Sequence, residues 1–83
     1  MADETPSPEE LLGGLTVEQL VVSAASTFAS LAYAKLERKD LPEAKRAIDA
    51  LASLVPHVEG DLGRELQSAL TGLQVAYAEA VTG

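Results

Sequence analysis

The chain has 83 residues, a mass of 8.7 kDa, 47% apolar residues and a formal net charge of −7, which fits one globular domain and not two. It has no cysteine and one histidine; that excludes a disulfide scaffold, a thiolate metal site, a cysteine nucleophile and, within a single chain, any metal site needing two histidines. Thirteen acids against six bases argue against a general affinity for nucleic acid.

The first 14 residues carry Asp3, Glu4, Glu9 and Glu10 and no base, punctuated by Pro6, Pro8, Gly13 and Gly14. They read as a flexible acidic arm. Ser7-Pro8-Glu9-Glu10 is nevertheless a helix-start signal, and the double glycine stops what starts there after about one turn. A one-turn helix that packs only on a partner and a frayed arm are both open readings. The arm has no basic stretch followed by an apolar one, so no signal peptide is expected. The longest uncharged run, Gln19 to Ala34, is sixteen residues, short of the ~20 needed to cross a bilayer. No membrane contact is expected, and the cytoplasm is the expected compartment.

One helical domain is predicted over 15–83, with helices at about 16–38, 41–55 and 62–81. The first opens on a capping box, Thr16-Val17-Glu18-Gln19. It carries two apolar stripes, Val17, Val21, Ala24, Phe28, Leu31 and Val22, Ala25, Ala29, Ala32, Leu36. A helix apolar on two faces is buried on two faces, and small residues permit close approach of helix backbones. The second helix opens at Asp40-Leu41-Pro42-Glu43, and Pro56 ends or kinks it near Leu54. The third is expected to take Asp61 as its N-cap, with a stripe Leu62, Leu66, Leu70, Leu73, Tyr77. The fold class is therefore all-α: an antiparallel three-helix bundle or hairpin array with an acidic N-terminal arm.

The core is thin. Fourteen of the 39 apolar residues are alanine, Phe28 is the only Phe, and Trp is absent. With no disulfide or metal available, dimerisation is the remaining way to complete so small a domain. The stripe Val22, Ala25, Ala29, Ala32, Leu36 is the expected self-association face.

The runs Leu20-Val21-Val22-Ser23-Ala24-Ala25, Asp40-Leu41-Pro42-Glu43-Ala44-Lys45-Arg46-Ala47-Ile48-Asp49-Ala50-Leu51, Gly60-Asp61-Leu62 and Leu73-Gln74-Val75-Ala76-Tyr77 together resemble the bacterial domain-of-unknown-function family numbered 1844. The resemblance covers about residues 17–81 and lies in the order and spacing of short motifs. It implies a small helical protein and transfers no activity. The chain departs from the family at Pro56-His57-Val58-Glu59-Gly60, where members carry a Thr-Lys-Gly-like stretch. Some members are encoded near translation initiation factor and ribosomal protein genes, which implies a translation-linked accessory role.

Candidate chemistry is sparse. His57 has no serine or cysteine partner in a recognisable motif and reads as an exposed loop histidine or a pH-sensitive contact. Asp49 reads as a surface partner of Lys45 and Arg46, or as a partner-recognising group. Glu59 and Asp61 lack the alternating ligands of a calcium loop, and no P-loop or dinucleotide fingerprint is present. No cofactor is expected. Tyr33 and Tyr77 read as edge-of-core residues, with ligand stacking as the alternative. Five of the six bases lie between positions 35 and 46. Lys35, Arg38 and Lys39 either complement the C-terminal dipole of the first helix or contact a charged partner. The functional expectation is a non-enzymatic association module acting as a homodimer, with other protein partners open. The alternative is an accessory protein that meets the ribosome or an initiation factor through the basic turn 35–46, the one route to nucleic acid.

Overall fold

Four helices in chain order, and no strand, make up the residues that the computed structural model describes, 7–83. Asp3 and Glu4, and the part of the expected arm before residue 7, lie outside the described residues. The helices are α1 (Pro8–Gly13), α2 (Val17–Glu37), α3 (Leu41–Leu54) and α4 (Gly60–Thr82), with one 3-10 turn, Val55–His57, between α3 and α4.

Each start has a local cause. The Ser7 hydroxyl accepts from the Glu10 N–H at 3.2 Å, so the second half of the acidic arm is a short helix and not a frayed strand of coil. Thr16 and Gln19 form a reciprocal capping box: Thr16 Oγ1 accepts from the Gln19 N–H and Gln19 Oε1 accepts from the Thr16 N–H. This satisfies two backbone donors that otherwise lack intrahelical partners. Asp40 Oδ1 accepts from the Glu43 N–H and opens α3. The helical turns of α3 end at Leu54, because Pro56 has no N–H to continue the ladder.

The α2–α3 connection is a Schellman-type cap. The Lys39 N–H donates to Leu36 and the Asp40 N–H to Lys35. Lys39 takes the left-handed conformation this requires, with φ 59°, at a position that favours glycine. The start of α4 differs from expectation. Gly60, at φ 72°, turns the chain into the helix early. Asp61 therefore sits inside the first turn and not at the cap. There its carboxylate meets the positive end of the helix dipole and pairs with Arg64.

The three long helices each touch the other two, and the α2–α3 contact is the most extensive. The core is Ala25 and Ala32 from α2, Ala47, Ile48 and Leu51 from α3, Val55 and Val58 from the connection, and Leu66, Leu70 and Leu73 from α4. Leu51 and Leu73 are its largest fully buried side chains. Gly63 lies so close to the chain that a Cβ there would run into the Val58 carbonyl, which pins the start of α4 to the connection. By contrast, α1 buries nothing and packs on no other element.

Two substitutions should move stability in opposite directions. Leu51→Ala should lower it by about 2–5 kcal/mol through lost burial and an unfilled cavity. Lys39→Gly should raise it by about 0.5–1 kcal/mol, since glycine adopts positive φ without the steric cost borne by lysine. Thermal unfolding at low micromolar concentration reads both; an unchanged midpoint for either would contradict the packing or the turn described.

Candidate functional site

The five residues expected at a self-association face are on the inner side of α2. Ala25 and Ala32 are 0% exposed, and Val22, Ala29 and Leu36 pack against the same core. Their neighbours are this chain's own helices. Ala25 and Ala32 are thus buried within the chain itself, in a core shared with α3 and α4, while Val22, Ala29 and Leu36 stay partly exposed.

The other expected stripe of α2 is divided: Val21 and Phe28 pack against the core, while Val17 is 75% and Leu31 42% exposed; Leu20, outside that stripe, is 54% exposed, and Ala24 is half-buried. Leu20 and Leu31 lie eleven residues apart, very nearly three helical turns, so both point the same way. The Ala25–Ala32 row points elsewhere, well over 90° around the helix by the same arithmetic of about 100° per residue. Leu20 also has Val17 three residues before it and Ala24 four residues after it on the same side of the helix, so ordinary helical spacing could have added it to the stripe. Beside the open stripe, Phe28 and Leu31 of α2 face Glu43, Arg46, Ala47 and Ala50 of α3 across a groove of about 300 Å³.

A second concavity, of about 400 Å³, lies where the α2–α3 turn meets the end of α4. It is lined by Leu36, Lys39, Leu41, Ala80 and Gly83. This is also where the expected basic patch falls. Lys35 is 3.9 Å from Asp40, within the turn itself. Arg38 and Lys39 are exposed and make no ion pair among the described residues.

The remaining candidates are placed as follows. Asp49 pairs with Lys45 at 2.9 Å on the outer face of α3, and Arg46 turns instead to Glu43 at 3.5 Å. The hydrogen bond that Lys45 donates to Asp49, and then the charge of Asp49, hold the Lys45 amine above its ordinary value of 10.5. His57 is exposed at the end of the 3-10 turn. Tyr33 is exposed, with its hydroxyl 3.8 Å from where a Cβ at Gly72 would stand, and Tyr77 packs on the core edge. Among the described residues no three His, Asp or Glu side chains form a group able to hold a metal ion. No described helix is long and apolar enough to cross a membrane. What the surface offers is apolar area flanked by charge, which is chemistry for binding. No family model, curated protein or solved structure matches the chain.

The raised Lys45 value gives a signed expectation. What the charged Lys45 amine contributes through this pair is not diminished by its own titration below 10.5 and is lost as pH rises through the elevated value. An NMR titration of the Lys45 side chain should show Asp49→Asn bringing its midpoint down towards 10.5. A midpoint indifferent to the substitution would contradict the assignment of cause.

Proposed function

We propose that this chain is a non-enzymatic self-association module, in which two copies pack through the open face of α2 with their α2 helices antiparallel. The observation that carries the reading is the exposed pair Leu20 and Leu31 on α2, 54% and 42% exposed, beside the groove lined by Phe28 and Ala47. The chain as a whole exposes 5905 Å², roughly 1,200 Å² more than the about 4,700 Å² typical of a folded monomer of its mass, an excess to which the unpacked α1 also contributes. A standard protein interface buries about 800 Å² on each partner. The radius of gyration, 16.0 Å, likewise exceeds the about 12 Å of a compact domain of this length.

The antiparallel arrangement uses the two leucines of the stripe reciprocally. Leu20 of one copy lies against Leu31 of the other and enters the groove between α2 and α3 beside Phe28 and Ala47. The two-fold axis then passes near the middle of α2, where Ala24 and Thr27 offer little bulk. Such an interface is isologous and closes on itself at two chains. Burial of the leucines, with half-buried Phe28 completed by the partner, supplies the apolar centre that stable interfaces require.

Sedimentation equilibrium at micromolar concentration should give twice the 8.7 kDa chain mass. Leu20→Glu and Leu31→Glu should each weaken association by at least about tenfold, ~1.4 kcal/mol, with helicity unchanged because both positions are exposed in the single chain. A monomer at every concentration reached would overturn the reading.

A further inference from the structure

The first helix has no partner in its own chain. Leu11 is 62% and Leu12 56% exposed, and α1 touches no other element. Glu9 and Glu10 precede the two leucines, so six residues hold two acids and two large apolar side chains with nothing to bury them against. The cleft at the opposite end of α2 has the complementary character. Leu36, Leu41 and Ala80 form an apolar floor, and Lys39 lies at its rim, next to Arg38.

We propose that α1 of one copy docks in this end cleft of a second copy, with Leu11 and Leu12 on the apolar floor and Glu9 and Glu10 facing Arg38 and Lys39. The proposal rests on the self-association reading and adds a second, separate contact to it.

Three observations carry it. The first is register. In an antiparallel pair of α2 helices, the alignment that sets Leu20 opposite Leu31 sets Val17 opposite Ala34, which brings the end of α2 that carries α1 beside the partner copy's α2–α3 turn. The alignment that carries Leu20 to the α2–α3 groove thus also carries α1 towards the end cleft. The second is reach. The cleft lies beyond the far end of α2, about 30 Å from Thr16 at 1.5 Å per residue, and the link Gly14–Thr16 spans at most about 10 Å. The arm cannot reach its own cleft, whereas a second copy's cleft lies beside it. The third is charge. Within Pro8–Gly14 there are two acids and no base. At the cleft, Asp40 is engaged with Lys35 and with the Glu43 N–H, which leaves Arg38, Lys39 and Glu37 facing outward with a net positive charge. Opposite charges across an interface fix register and speed encounter.

The chain has no cysteine, so cross-linking can be made specific. Full-length Leu12→Cys chains are mixed with full-length Ala80→Cys chains under mild oxidation. A mixed disulfide dimer should dominate over either self-linked product and should fall away in the Leu20→Glu background. Leu11→Glu with Leu12→Glu should weaken the sedimenting dimer about tenfold without loss of circular-dichroism helicity. Glu9→Lys with Glu10→Lys should weaken it at low salt, and combining these with Arg38→Glu and Lys39→Glu should restore it. A dimer that persists at full strength in the Leu11→Glu, Leu12→Glu chain and gives no mixed disulfide would overturn the docking of the arm and leave the α2 interface standing. A chain that is monomeric throughout would overturn both. A Leu12–Ala80 disulfide formed inside one doubly substituted chain at high dilution would show the arm closing on its own molecule, against the proposal.

Discussion

The burial of Ala25 and Ala32 on the inner side of α2 governs the rest of the molecule. Both alanines are wholly buried in the core shared with α3 and α4, and neither has an atom beyond Cβ to fill that core. The bulk of the core then has to come from elsewhere. It comes from Ile48 and Leu51 of α3 and from Leu66, Leu70 and Leu73 of α4. At about 100° per residue, a helix that turns Ala25 and Ala32 inward turns Leu20 and Leu31 away. The contact that completes the fold is therefore the same contact that leaves large apolar side chains on the outside.

A chain of this size has little freedom to correct that. Small domains bury a modest fraction of their surface. Three helices laid against one another, with a fourth that packs on none of them, bury less than a globule of equal mass. The extents of 57 × 30 × 14 Å describe a flat, elongated body. Its exposed large apolar side chains include Leu11 and Leu12 of α1 and Val17, Leu20 and Leu31 of α2, with Leu62, Val75 and Val81 further off along α4.

Charge follows the same long axis. The basic window 35–46 lies at the α2–α3 turn, and Glu9, Glu10 and Glu18 lie at the other end of α2. The turn keeps a lysine in a left-handed backbone conformation where glycine would cost less. Two copies laid head against tail, as proposed, would set the acidic end of each against the basic turn of the other. The proposed two-fold pairing satisfies both ends at once, and a parallel pairing would oppose like charges at each.

The sequence by itself determined the helical class and most helix starts, because caps are local: Ser7, Thr16 and Asp40 each act on an amide three residues on. It also determined the stop before Pro56 and the uneven spread of charge. The start of α4 escaped it, since an aspartate at a cap and one a turn further in look alike until the φ of Gly60 is known. The decisive matter, which of α2's two apolar faces lies inside, was settled only by tertiary structure. Periodicity counts apolar positions around a helix but carries no information on which neighbour approaches from which side. Small residues can serve a core as well as a dimer seam. Here the chain's own helices bury Ala25 and Ala32, because a contact within one chain does not carry the entropy cost of bringing two chains together.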